Sequence, residues 1–376
     1  MSGIYFHIPF CKTRCFYCDF HTSTNLVLIE PMFIALMKEL TSRKDYLKHD
    51  PIINTIYFGG GTPSLLTTDQ IGKLISSVKE YYNVSDLVEI TVEANPDDLS
   101  KEYLRELKSN GVNRLSIGVQ STDGTILKDM NRRHGVKDVF NAVSNSIEVG
   151  IDNISIDLIY GVPNLTLSLW KETIDSVIKL PISHISAYHL TYHEGTVFHR
   201  RLSKGQLKPV DENESLKHYE ILVDSLNKAG FEQYEISNFC KNDRISNHNS
   251  SYWNGASYLG VGPSAHSFDG HSRRWNISNN KKYIDALNEN ERYFEEEILS
   301  NEDKYNDYVI TSFRTKWGVK RQILEQFGAS FVDFFTTQVQ PFIDSNEVVY
   351  IHDGWEMTSQ GFIRSDLIIE KVFHCE

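Results

Sequence analysis

Over the first half of the chain, apolar residues alternate between two rhythms. Short apolar runs recur at Ile4–Ile8, Thr55–Phe58, Val88–Ala94, Arg114–Gln120, Asn153–Tyr160 and His184–Tyr192. The segments between them have helical spacing. Phe33, Leu36, Met37 and Leu40 fall at i, i+3, i+4 and i+7 after Pro31, whose fixed φ suits a first helical turn. Ile71, Leu74 and Ile75 follow Thr68, and further helices are expected over Lys101–Asn110, in a stretch reaching Gly150, and over Leu167–Leu180. Strand and helix repeated about six times predict an α/β fold of parallel strands with crossover helices. Ile154–Ile159, broken only by Ser155 and Asp157, reads as a strand covered on both faces.

After residue 192 this rhythm stops. A helix over 213–229 and a strand over Phe231–Ile236 are expected next. A polar, aromatic stretch, Ser246–Trp253, and a glycine-rich one, Tyr258–Phe268, follow. The glutamate-rich segment Asn288–Asp303 has few apolar anchors and reads as a linker or an exposed helix. Beyond it come a helix, a short helix near Lys320–Phe327, a helix around Phe331–Asp344, a hairpin turning at Asp353-Gly354, and a last helix. Helices followed by a hairpin predict a small winged-helix-like α+β unit. The expected division is therefore 1–290 and 291–376.

Charge narrows the function. A formal net charge of −12 argues against a phosphate-backbone binder, so no nucleic acid is expected as a partner. The basic runs Asn131–His134 and Arg273–Arg274 read by themselves as solvated surface. Residues Met1–Tyr5 lack a basic region followed by an apolar one, and the apolar stretch Leu26–Leu40 is interrupted by Glu30, Pro31 and Lys38. These features predict a cytoplasmic protein with no transmembrane segment.

Cysteine usage carries the chemistry. Of five cysteines, Cys11, Cys15 and Cys18 crowd into one loop after the first strand, in the spacing Cys-x3-Cys-x2-Cys. Three thiolates on a loop can hold three corners of an iron–sulfur cube and leave one iron open. Structural zinc is the alternative; it needs a fourth ligand, for which His7, Asp19 or His21 could serve. A redox pair at Cys15 and Cys18 lacks the surrounding order of elements. Ligands of parallel α/β sheets sit at the C-terminal strand ends. Gly59–Thr62, Glu93, Gln120 and Asp157 all fall at or near that edge.

The cysteine spacing together with Gly59-Gly60-Gly61-Thr62-Pro63 resembles the radical S-adenosylmethionine superfamily. His7–Cys11, Glu93-Ala94-Asn95-Pro96, Ser116–Gln120, Asp157–Gly161 and Tyr234–Phe239 make the resemblance narrower. The whole chain is similar to the oxygen-independent coproporphyrinogen III oxidases (HemN) and their relatives, the HemW heme chaperones. The resemblance implies a partial (β/α)6 barrel with extra strands, and a 4Fe–4S cluster on Cys11, Cys15 and Cys18. It also implies S-adenosylmethionine against Gly60, Gly61 and Thr62, with Tyr5, Glu93, Gln120, Arg132 and Asp157 as further contacts. Tyr17 matches a position contacting a second such molecule.

Two departures separate the relatives. The oxidases carry a fourth cysteine two residues after the third, where this chain has Phe20, and they have a segment before the first strand that is not seen here. His248-Asn249-Ser250-Ser251-Tyr252-Trp253 matches the His-Asn-x-x-Tyr-Trp motif implicated in heme binding in the chaperones. Imidazole is a common heme ligand, and Tyr and Trp offer flat apolar area with a polar edge. His266 is a second candidate. The reading is a heme chaperone that passes heme to an acceptor such as a respiratory enzyme, membrane-bound ones included. The enzymatic alternative is radical decarboxylation of coproporphyrinogen propionates. A third, a winged-helix redox regulator, sits badly with the acidic charge.

Overall fold

The computed structural model describes residues 2–49 and 52–375. The chain opens with β1 (Ser2–Ile8), α1 (Ile29–Ser42), β2 (Ile53–Gly60), α2 (Thr68–Tyr81), β3 (Val84–Ala94) and α3 (Lys101–Ser109). It continues with β4 (Arg114–Gln120), α4 (Gly124–Asp129), α5 (Val136–Val149), β5 (Asn153–Tyr160), α6 (Leu167–Val177) and β6 (His184–His189). Local chemistry fixes the helix ends. Thr67 and Gln70 close a capping box on α2, Asp123 accepts from the first turn of α4, and Gly150 ends α5 at φ 86°. The single helical stretch expected before Gly150 is two helices. The turn between them includes Asn131 in the left-handed region at φ 59°.

The strands β1 to β6 are parallel neighbours in sequence order. They form the partial barrel of the α/β class, and their inner and outer faces differ. Ile4, Phe6, Ile8, Ile56, Phe58, Leu115, Ile117, Ile154 and Ile156 point outward into a core shared with α1 to α6. The alternate positions point inward and are largely polar: Tyr5 and His7, Thr55 and Tyr57, Glu89 and Glu93, Arg114 and Ser116, Ser155 and Asp157. This barrel therefore encloses a polar interior, with its apolar core outside the strands.

The second half closes the sheet at both edges. Beyond α7 (Val197–Ser203) and α8 (Glu212–Lys228), β7 (Glu232–Gln233) and β8 (Asn238–Cys240) pair antiparallel next to β6. The longer strand expected over Phe231–Ile236 is only these two residues, because Tyr234–Ile236 turn to the last domain: Glu235 bridges Thr315, and Ile236 packs on that domain's core. Next come α9 (Asn247–Trp253), β9 (Tyr258–Val261), β10 (His266–Phe268), β11 (Ser272–Asn276), α10 (Asn280–Glu289) and β12 (Phe294–Ile298). The glycine-rich β9 adds a parallel neighbour to β1, and β10, β11 and β12 continue antiparallel from it.

The glutamate-rich segment is thus no linker. Glu297 and Glu296 of β12 pair with Arg273 and Arg274 of β11. An expected boundary at 290 would cut this strand from its sheet. The separate core begins at Tyr305, inside α11 (Asn301–Phe313). It is completed by β13 (Val319–Lys320), α12 (Arg321–Phe327), α13 (Ala329–Asp344), the hairpin β14 (Val348–Ile351) and β15 (Gly354–Met357), α14 (Ser359–Ile363) and α15 (Ser365–Val372). The strand order β13-β15-β14 with helices before and between matches the expected winged-helix-like arrangement.

Candidate functional site

The cysteine loop leaves β1 at Ile8 and is held by its own backbone. Cys11 N–H donates to Ser23 O at 3.0 Å, Ser23 N–H to Pro9 O at 2.8 Å, and Phe16 N–H to Met130 O at 3.1 Å. Gly61 N–H donates to Ile8 O at 2.9 Å. A Cβ at Gly61 would stand 2.6 Å from Phe10 O, so only glycine lets the second loop lie this close to the first.

Side chains that follow β2 and α4 reach the thiols, and Asn95 at the end of β3 joins them. Thr62 Oγ1 donates to Cys11 Sγ at 3.4 Å, and Asn95 Nδ2 donates to Thr62 Oγ1 at 3.3 Å. Arg132 donates to Cys15 Sγ at 3.3 Å and to Asn95 Oδ1 and Gly118 O, each at 2.5 Å. The basic run expected on the surface is instead built into the rim: Arg133 pairs with Asp97 and Asp98, and His134 is buried. Gln120 ends β4 with φ 67° and places its amide beside Gly118. Tyr17 is half-buried next to Arg132 and Cys15.

Burial dominates the electrostatics. It pushes the Cys11 thiol up and the Cys18 thiol up to about 11, so both are protonated until a metal displaces the proton. Burial likewise raises Glu93 to about 7, although Tyr57 Oη donates to it at 2.8 Å. Asp157 rises to about 6, held by Ser116 Oγ at 3.1 Å. A cationic group bound between them would stabilise both carboxylates.

Among the described residues, no three His, Cys, Asp or Glu side chains converge on a point where one metal ion would sit. The possible fourth zinc ligands are engaged elsewhere. His7 bonds Tyr5 Oη and His21 O, His21 bonds Asn280, and Asp19 lies 3.4 Å from His193. A four-iron cube is larger and takes each thiolate at its own corner. Three thiols on one short loop, with Arg132 beside one of them, fit such an anionic cluster.

The second set of expected residues lies at the opposite end of the barrel. Helix α9 plugs its floor, beneath the N-terminal ends of β1 to β3. Glu89 accepts from the backbone N–H of Asn247 and of His248 at 3.2 and 3.1 Å. His248 is 1% exposed. Its Nδ1 pairs with Thr55 Oγ1 at 2.8 Å and its Nε2 with Tyr252 Oη at 2.9 Å. Its ring stacks on Tyr57 at 4.7 Å. Asn249, Tyr252 and Trp253 are half-buried, and Trp253 lies under Arg314 of the last domain.

The structure therefore gathers Cys11, Cys15, Cys18, Tyr17, Gly60, Gly61, Thr62, Gln120 and Arg132 around the rim. Glu93, Asp157 and Tyr5 stand just inside it, and His248, Asn249, Tyr252 and Trp253 are set apart on the floor. Asn95 was not among the residues expected to act, yet it joins Thr62 to Arg132. Its signal was its place before Pro96 at the end of an apolar strand. Arg114 was also missed; it is 1% exposed, deep in the barrel, and its Nε has no partner among the described residues.

A parallel partial barrel with three thiols on its first loop and a glycine turn on its second defines the radical S-adenosylmethionine class. The model of the radical SAM superfamily matches residues 5–177. The chain is 34% identical to the heme chaperone HemW of Bacillus subtilis, over 96% of each protein, and 33% identical to that of Lactococcus lactis, over 98% of this chain and 97% of the relative. It belongs to the HemW family. Coproporphyrinogen III oxidase (HemN) from Escherichia coli shares the fold, with a TM-score of 0.85 over 99% of this chain and 90% of that one, at 23% identity. Among the described residues, no helix is long and apolar enough to cross a membrane.

Proposed function

We propose that the chain is a heme chaperone: it holds heme and passes it to an acceptor such as a respiratory enzyme, membrane-bound ones included, from the cytoplasm. Cys11, Cys15 and Cys18 hold a 4Fe–4S cluster. S-adenosylmethionine lies across the rim against Gly60, Gly61 and Thr62. Arg132 is placed to meet its carboxylate, and Glu93 and Asp157 its cationic and hydroxyl groups. Tyr5 and Gln120 line the same space, and Tyr17 bounds its outer side. When bound, this cofactor pair supplies one-electron chemistry. The extension that begins with α9, including Asn249, Tyr252 and Trp253, carries the heme.

The observation that carries this choice over decarboxylation is Phe20. It stands where the oxidase pattern has its fourth cysteine, it is 64% exposed, and its ring can neither donate a proton nor bind metal. The test is anaerobic and uses the reconstituted protein with reductant, S-adenosylmethionine and either substrate. The expected result is heme transfer to a heme-free respiratory enzyme and no turnover of coproporphyrinogen III. Stoichiometric protoporphyrinogen would replace this reading with the oxidase one.

A further inference from the structure

We propose, resting on the cluster reading above, that Asn95 is a positioning residue that raises the reduction potential of the 4Fe–4S cluster by aiming a donor at each of two cysteine sulfurs. A chain of hydrogen bonds runs from Cys11 Sγ through Thr62 Oγ1, Asn95 and the Arg132 guanidinium to Cys15 Sγ, at 3.4, 3.3, 2.5 and 3.3 Å. Its directions are forced. A guanidinium only donates, so the Asn95 side-chain oxygen faces Arg132 and its NH2 faces Thr62. Thr62 Oγ1 accepts there, which leaves its single proton for Cys11 Sγ. Asn95 Oδ1 and Gly118 O hold Arg132 Nη2, and that hold keeps Nη1 on Cys15 Sγ. The third thiol, Cys18, meets the backbone of Phe20 instead.

This bracket does not build the loops it spans. Backbone bonds already tie them: Gly61 N–H to Ile8 O, Cys11 N–H to Ser23 O, and Phe16 N–H to Met130 O. Nor do the two short polar side chains serve their own turns. Asn and Thr at the start of a helical turn commonly bond back to its first N–H groups. Asn95 opens the turn Pro96–Asp98 and Thr62 the turn Pro63–Leu65, and neither makes a side-chain cap there. Both are spent on the sulfur side.

Donors and charge at the sulfurs are what a protein uses to tune an iron–sulfur cluster. Reduction adds one electron, supplied by an external one-electron donor, and makes the thiolate-bound cube more negative. A hydroxyl proton or a guanidinium at a sulfur therefore binds the reduced form more strongly than the oxidised one, and raises the potential. The bonds of Asn95 run to Thr62 and Arg132, so its effect passes through them.

The test reconstitutes the cluster anaerobically in the full chain, without S-adenosylmethionine, so that Arg132 answers to the cluster alone. A potential titration with titanium(III) citrate as the electron donor, followed by electron paramagnetic resonance of the reduced cluster, compares wild type, Thr62→Val, Asn95→Ala and Asn95→Asp. All are expected to hold wild-type iron and sulfide, with a lower midpoint in each variant. Thr62→Val loses one donor. Its reduced-to-oxidised ratio at a fixed potential should fall about tenfold, the lower end of what losing an outer partner of a metal ligand costs, or about 59 mV for one electron. Asn95→Ala releases both donors and falls at least as far. Asn95→Asp still accepts from Arg132, but it cannot donate to Thr62 and it adds a negative charge, so it too falls at least as far as Thr62→Val. Asn95→Ala made on top of Thr62→Val should move the midpoint less than it does in wild type, because one of its two routes is already gone. A wild-type midpoint in cluster-loaded Thr62→Val or Asn95→Asp overturns the assignment and leaves the cluster reading standing. Loss of the cluster from the variants makes the bracket structural and overturns it as well. Wild type that takes up no iron and sulfide overturns both readings.

Discussion

The two ends of the barrel are built from the same strands and solve opposite problems. At the floor, the inward residues of β1 to β3 find their partners within the chain. Glu89 receives the backbone of α9, and Thr55 and Tyr252 take both nitrogens of His248. Burial then lowers His248 to about 3, so the floor carries a neutral imidazole at any working pH. At the rim, the inward residues farther along β3 and on β5 meet no such helix. Glu93 and Asp157 are half-buried behind hydroxyl donors with their pKa values raised, and the Cys11 and Cys18 thiols above them are protonated. A buried carboxyl held near neutrality is a poor structural choice and a useful one for receiving a cation. Polar groups pointing into a barrel thus mean structure where a helix answers them and ligand where none does.

The largest effect that separates the two ends comes from Cys15→Ser. Cys15 gives one of three thiolates and receives Arg132 at 3.3 Å. Its loss should bring iron and acid-labile sulfide in the reconstituted protein close to zero, while urea unfolding of the cluster-free chain stays near wild type. Bound zinc in place of iron in the wild-type protein would break the comparison at its first step.

Much of this contrast was readable before the fold was known. The strand ends at Gly60, Ala94, Gln120 and Tyr160 were marked by apolar runs, because a parallel strand buries its outer face completely. The cysteine spacing then fixed which end was the rim. Three features were hidden. Glu295–Glu297 read as solvent-exposed, since what makes them a strand is the pair Arg273 and Arg274 on a neighbour some twenty residues away. The strand β9 lies in a glycine-rich stretch to which the sequence assigned no element; Gly260 is there because a Cβ would stand 2.0 Å from His266 O. The enclosure of His248 depends on Thr55 and Glu89, both distant in sequence, and no local pattern around Ser246–Trp253 announces it.

A second prediction sharpens the electrostatic half of the comparison. Glu93 is raised from 4.5 to about 7, chiefly by burial. Between those values the folded chain binds the proton more tightly than the unfolded one. The stability this supplies is complete below about pH 4.5 and is lost as pH rises through about 7. Glu93→Gln is neutral throughout, so its stability relative to wild type should climb across that window by about 3 kcal/mol. Urea midpoints at both ends of the window check this. Parallel curves for the two proteins would mean that Glu93 is ionised in the folded state and that the rim is already paired.

The smallest expected effect tests whether the floor is independent of the rim. Thr55→Val removes the hydroxyl that meets His248 Nδ1 at 2.8 Å and leaves that nitrogen buried without a partner. An unsatisfied buried polar group costs roughly 1–3 kcal/mol, and the added methyl must find room against Gly3, whose neighbouring position is already filled by the Thr55 hydroxyl. We expect a loss of about 1–2 kcal/mol in urea unfolding with iron content unchanged, because the contacts of Cys11 and Cys15 run through Thr62, Asn95 and Arg132, and none of these touches α9. The stack Tyr5, Tyr57 and His248 is the physical route by which that independence could fail, since Tyr57 also donates to Glu93. If Thr55→Val lowers iron content as well, the aromatic stack couples the two ends, and the floor helix is part of the machinery that holds the cluster.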